Sequence, residues 1–346
     1  MDNKKRRIGV FIAAILAISE FAALPVVAVN PKNIAPSSHP TSAHSVYQGL
    51  LRIGISDYGE LLYSNVESAG LEYPDGYEHI AAGWWGEGYF VAYKNATGDH
   101  WAYAMFDERS NSSWGDPYRG FLPVAYTVIE DSATTLRVDV RTETDDGMLR
   151  LDQEFYMPKD ENYVQITMTL TNIGTETITD VVLKRCVDLD IDTGGINGWA
   201  GFDNIFDIDY TRNIVYAYTT ETYPYDPRPP GVESHYVGIA GCPTADYYDV
   251  DDWDDYYQRD SPINFISYPV FGDYMATQQW NFGTMDPGDS KTVNVIYSVG
   301  YTLSDLHGCA PAPVPALTPI GLIALVGLLS VIAAVSIRTT VRKKRE

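Results

Sequence analysis

Apolar and polar residues alternate strictly in the middle of the chain. Leu136, Val138 and Val140 alternate with Arg137, Asp139 and Arg141, and Val164, Ile166, Met168 and Leu170 alternate with Gln165, Thr167, Thr169 and Thr171. Successive side chains of a strand point to opposite faces, so a period of two predicts antiparallel strands with one buried face each. Asp146-Gly147 supplies a tight hairpin turn and Met148–Met157 the return strand. Asn172-Ile173-Gly174 turns the chain again, with a strand expected over Thr177–Ile191. Further strands are predicted at Tyr89–Tyr93, Trp101–Phe106, Pro123–Glu130, Ile214–Thr219, Tyr236–Ala240, Gln279–Phe282 and Thr292–Tyr301, the last preceded by the turn Pro287-Gly288-Asp289. No long helical period interrupts them. The pattern predicts an all-β fold, a large antiparallel β-sandwich over residues 46–306.

The two ends follow other patterns. Lys4, Lys5, Arg6 and Arg7 precede an apolar run from Ile8 to Ser19, and Val26-Val27-Ala28 offers small residues for cleavage. Residues 1–28 therefore read as a signal peptide, although Glu20 interrupts the layout. Residues 29–45 are rich in Pro, Ser, His and Thr and read as a flexible lead-in. At the other end, residues 307–319 form a Pro-rich spacer and residues 320–337 an uncharged apolar run long enough to cross a thin membrane. Residues 338–346 carry Arg338, Arg342, Lys343, Lys344 and Arg345, which would stay cytoplasmic and leave the main domain outside the cell. Val314, Pro315 and Pro319, placed directly before this helix and basic cluster, resemble the VPxxxP signature of archaeal sorting tails. The resemblance implies a surface protein processed by an archaeosortase-type membrane enzyme. An ordinary single-pass anchor is the alternative.

Charge changes the picture of the domain between the ends. The full chain carries a formal net charge of −22, but residues 29–313 alone hold 15 basic and 43 acidic residues, a net of −28. Such a surface excludes nucleic acid as a bulk electrostatic partner. Three cysteines, Cys186, Cys242 and Cys309, include no CxxC pair, which argues against zinc and c-type haem. An extracellular disulfide is expected between Cys186 and Cys242, with Cys309 assigned to the spacer. Asn95 and Asn111 begin N-glycosylation sequons.

The segment from Phe155 through Arg185 is similar to the central strands of the galactose-mutarotase-like super-sandwich. That resemblance implies a fold with many sugar-binding and sugar-processing members. The mutarotases carry a catalytic His just after this strand pair, where the chain has Cys186-Val187-Asp188-Leu189-Asp190. The departure argues against mutarotase chemistry.

Asp188, Asp190 and Asp192 are spaced by two and are expected on one strand face, where repulsion calls for water or a cation. With Asp203, and with Asp207 and Asp209 nearby, they form a candidate calcium site; a solvated strand face is the plain alternative. Trp84, Trp85 and Glu87 combine flat aromatic faces with a carboxylate, which suits a sugar; core packing is the alternative, and His79 lies close in sequence. Asp246 to Asp260 interleaves acids with aromatics and suits a cation-binding or glycan-binding edge or an exposed acidic loop. No nucleophile-elbow, metalloprotease, P-loop or dinucleotide motif occurs. The expected function is that of a non-catalytic protein at an archaeal cell surface, in contact with the membrane, envelope proteins or glycans. The alternative is a carbohydrate-active enzyme or sugar-binding protein of the mutarotase-like fold.

Overall fold

The computed structural model describes residues 45–61, 70–73, 77–80, 87–105, 120–194, 204–219, 235–251 and 268–309. The expected signal peptide, the apolar run 320–337 and the basic tail lie outside these residues. No helix among the described residues is long and apolar enough to cross a membrane.

In chain order the strands are β1 (Ser45–Gln48), β2 (Arg52–Ile55), β3 (Leu71–Glu72), β4 (Tyr77–Ile80), β5 (Glu87–Asn95), β6 (Gly98–Met105), β7 (Phe121–Asp131), β8 (Thr135–Thr144) and β9 (Leu149–Pro158). They continue as β10 (Tyr163–Asn172), β11 (Ile178–Gly194), β12 (Asn204–Asp209), β13 (Ile214–Tyr218), β14 (Tyr236–Cys242), β15 (Tyr247–Asp251), β16 (Val270–Gly272), β17 (Met275–Met285) and β18 (Ser290–Gly300). They form two antiparallel sheets that make a sandwich. The first runs β1-β2-β3-β4-β11-β17-β15, with β5 also paired to β11 and β6 to β5. The second runs β16-β12-β13-β14-β18-β10-β9-β8-β7.

The alternating sequence does what its period predicts. Leu136, Val138 and Val140 of β8, Leu151 and Phe155 of β9, and Val164, Ile166, Met168 and Leu170 of β10 are all buried and belong to one apolar cluster. Val181, Leu183, Val187, Leu189 and Ile191 of β11 meet them from the other sheet. Gly147, in the β8–β9 turn, has φ of +70°, a conformation glycine takes without cost.

The strand after the 172–174 turn forms as expected but does not return beside β10. β10 pairs with β9 and β18, while β11 lies in the opposite sheet between β17 on one side and β4 and β5 on the other. The 172–174 turn is thus a crossover between sheets. Asn172 holds it: its side-chain amide donates to the carbonyls of Glu176 and Met285, both at 2.9 Å.

The cysteine pairing also differs from expectation. Cys242 is bonded to Cys309, with Cα atoms 5.5 Å apart, and Cys186 is a buried thiol outside that disulfide. Cys186 sits mid-β11 beside Met105 and Met275, whereas Cys242 ends β14 in the other sheet. Cys309 reaches Cys242 because residues 303–309 fold back on the second sheet instead of leaving as a spacer. Arg212 donates to the carbonyls of Leu303 and Leu306, each at 2.9 Å, and His307 N–H donates to Ser298 Oγ at 3.0 Å.

Candidate functional site

β11 carries most of the chemistry-bearing residues, and the sandwich distributes them to three places. The first is between the sheets. Arg185 faces the core, fully buried, and its guanidinium donates to both carboxylate oxygens of Glu87 on β5, to Gln153 Oε1 at 2.6 Å and to the Gly59 carbonyl at 3.1 Å. Glu87 also accepts from Tyr297 Oη at 2.5 Å and from Leu61 N–H at 2.6 Å. Burial opposes the guanidinium's charge, but Glu87 and Tyr297 more than offset it and hold Arg185 charged. Gly59 has φ of +81°, and a Cβ there would stand 2.2 Å from the Gln153 amide. This network corrects the assignment of Glu87 to a ligand-binding surface: its carboxylate is committed to the core. Trp84 and Trp85 lie outside the described residues.

The second place is the outer side of β11. Asp188 and Asp190 converge there with Asp273, their candidate ligand oxygens within 4.8 Å of one another. Asp273 lies just after β16 and was not recognisable from the sequence, because no spacing rule links it to residues 83 or more positions away. Asp203 lies outside the described residues. Asp207 instead accepts from Tyr216 Oη at 3.1 Å, and Asp209 accepts from Arg212 Nε at 2.6 Å. For Asp209, burial raises the carboxyl pKa but the Arg212 bonds outweigh it, and the net shift is downward.

The third place corrects the expectation that Asp188, Asp190 and Asp192 share one face. Asp192 has φ of +62°, and the β11–β4 register shifts between Leu189 and Thr193. Asn204 at the start of β12 fastens the chain just before this kink, donating to Leu189 O at 2.6 Å and accepting from Ile191 N–H at 3.2 Å. The Asp192 carboxylate thereby leaves the row and meets His79 of β4 and His235, the residue before β14. His235 Nδ1 bonds Asp192 Oδ1 closely, and His235 N–H donates to Oδ2 at 3.2 Å. His79 Nδ1 lies 3.9 Å from Asp192 Oδ1. All three residues are buried. His79 Nε2 lies 2.7 Å from the Tyr73 carbonyl, so Nε2 carries the proton and Nδ1 accepts from Asp192 N–H at 3.2 Å. Burial pushes His79 down to about 4, against the pull of Asp192. Neighbouring Glu78 is raised to about 7 by burial, against hydrogen bonds from Leu71, Ile80 and His79 N–H. Tyr77 and Tyr301 rings pack on His235 with centroids 5.4 and 4.8 Å away.

The outer face of the second sheet bears an open depression of about 410 Å³ lined by Thr127, Asp139, Arg141, Asp152, Glu154 and Thr167 among others. Two of its carboxylates are paired, Glu154 with Arg137 at 2.7 Å and Asp152 with Arg141 at 2.5 Å, while Asp139 stands opposite Glu154 in the β8–β9 register, its carboxyl raised by burial and by Glu154. The sequon residue Asn95 stands in the β5–β6 hairpin, where its side-chain oxygen accepts from Thr97 N–H at 2.8 Å. Asn111, Val314, Pro315 and Pro319 lie outside the described residues. Of the 246–260 stretch, Tyr247–Asp251 forms β15 at the edge of the first sheet.

No family model matches the chain, and no curated protein does. Among solved structures it is distantly similar to a bacterial glucoamylase complexed with acarbose, at 9% identity and a TM-score of 0.46, over 76% of this chain and 33% of that one. It spans about a third of that enzyme's length. It is likewise similar to a putative aldose 1-epimerase from Escherichia coli K12, at 11% identity and a TM-score of 0.36, over 75% of this chain and 99% of that one. A galactose mutarotase related enzyme from Lactobacillus acidophilus matches at 8% identity and a TM-score of 0.36, over 74% and 97%.

Proposed function

We propose that this chain is a non-catalytic protein displayed on an archaeal cell surface, which contacts glycans through the outer face of its second sheet. The observation that carries the reading is the state of the carboxylates on that face. Asp152 and Glu154 are held by arginines in an open depression, as in a binding surface; they do not converge as an acid and base across a closed cleft. Rows of Thr, Asn and Arg offer the donors and acceptors that sugar hydroxyls require, with Thr167 Oγ1 bonded to Asn294 at 2.7 Å and Thr169 facing Thr292 at 2.9 Å. The net charge of −28 over residues 29–313 suits a surface that stays soluble and repels its neighbours.

Attachment is part of the same proposal. The signal-like start, the apolar run and the basic end support a domain held outside the cell, and the VPALTP segment supports recognition of the tail by an archaeosortase-type enzyme. Mass spectrometry of the C-terminal peptide from native cells should find nothing beyond Ile320. An intact Arg338–Glu346 end in most molecules would leave the plain membrane anchor. For the binding role, a glycan array probed with the full chain in detergent, with and without calcium, should show signals that Arg141→Ala and Asp152→Ala both weaken. Hydrolysis or anomer exchange of a sugar would instead favour the carbohydrate-active alternative.

A further inference from the structure

We propose that His79, His235 and Asp192 bind a divalent transition metal, with zinc the expected ion, at the rim where the two sheets meet. The site goes beyond the glycan-binding reading and shares no residue with it. His79 and Asp192 belong to the first sheet and His235 leads into β14 of the second, so an ion there would clamp the sheets together.

Five observations converge. The three residues offer ligand atoms within 4.8 Å of one another, and all three are buried. The donor set is two imidazoles and one carboxylate, which zinc and its first-row neighbours accept and which calcium, a hard ion needing six to eight oxygens, does not. His79 carries its proton on Nε2, which donates to the Tyr73 carbonyl, the outer bond that orients metal-bound histidines; its unprotonated Nδ1 faces the cluster, accepts from Asp192 N–H at 3.2 Å, and would exchange that bond for an ion. Asp192 adopts a left-handed backbone, which aspartate tolerates better than most residues, and that conformation turns its carboxylate from the Asp188–Asp190 row to the imidazoles. The rings of Tyr73, Tyr77 and Tyr301 wall His235, which restricts the ion to few ligands.

The absence of a CxxC pair argues only against thiolate zinc sites. These histidines stand 156 positions apart in the chain, beyond the reach of any spacing motif.

The test uses the full chain, stripped with chelator and purified in detergent. Cobalt should bind one to one and give the intense visible absorption of a four-coordinate ion, and equimolar zinc should abolish it while excess calcium does not. Zinc should raise the melting temperature. His235→Gln and Asp192→Asn should each weaken cobalt binding at least tenfold, whereas Asp188→Asn, on the other cluster, should leave it unchanged. X-ray absorption of the zinc-loaded wild-type chain, which requires no variant to fold, should show two histidine ligands. A spectrum with oxygen donors only, no saturable cobalt signal, or undiminished binding in both folded variants would overturn the proposal.

Discussion

Arg185 and Glu87 illustrate how a residue's role is set by what lies across the core. Two charges taken out of water cost several kcal/mol each unless paired and fully hydrogen-bonded, and here each finds its partners within the sandwich. Removing one leaves the other stranded. Arg185→Met should therefore destabilise the fold by about 3–5 kcal/mol. The double variant Arg185→Met/Glu87→Met should lose less than the sum of the two single changes, because neither charge is then left alone. Urea unfolding of the three variants checks this; additive losses would mean the pair is not coupled. Beside two tryptophans the Glu87 carboxylate suits a sugar by sequence, and nothing local announces that its partner is 98 positions away. Asp192 leaves its expected face for a related reason. Alternation predicts its face correctly only while the backbone stays extended, and a positive φ at one residue is not written in the spacing of its neighbours.

At the scale of elements, β8, β9 and β10 are legible in the alternation to within three residues, since each has one buried and one wet face. β11 was legible as a strand but not as the member of another sheet, because period and turn chemistry specify a strand and leave its partner open. The short strands β1, β2, β3, β4, β12, β15 and β16 have no counterpart in the sequence pattern; two to six residues are too few to show a period. The disulfide also belongs to this scale, since it ties the end of β14 to the segment that folds back after β18. Closing a loop of 67 residues removes enough freedom from the unfolded chain that its loss should cost about 4 kcal/mol. Cys309→Ser should show that loss by urea unfolding. Thiol titration in denaturant without reductant should find one reactive group per chain, that of Cys186. A peptide linking Cys186 to Cys242 would contradict the observed pairing.

For the whole molecule, charge and burial make separate predictions. The acidic excess implies self-repulsion in the folded state, so the melting temperature at neutral pH should climb as salt is added from low ionic strength and level off as the charges are screened; a flat response would show that local pairs already neutralise the surface. Burial acts at the other end of the pH scale. Tyr89 and Tyr297 are fully buried and Tyr93 mostly so, and burial, the largest cause in each, raises all three phenols above the ordinary value of 10.0. Hydrogen bonds from Tyr93 to Asp146 and from Tyr297 to Glu87 raise these two further. A phenol whose pKa is higher folded than unfolded holds its proton more tightly in the fold. Its contribution to stability is therefore complete below the unfolded pKa of about 10 and falls as pH rises above it. With 26 tyrosines in the chain, phenolate absorbance should rise in two phases. The first is gradual and leaves the β-sheet circular dichroism intact. The second is cooperative, carries the buried phenols, and coincides with loss of that signal. Tyr297→Phe should reduce the second phase and not the first. Complete ionisation of all tyrosines before any change in circular dichroism would mean that the sandwich admits hydroxide to its core, against the close packing of Tyr89 on Phe121 and of Tyr297 on the Arg185–Glu87 pair.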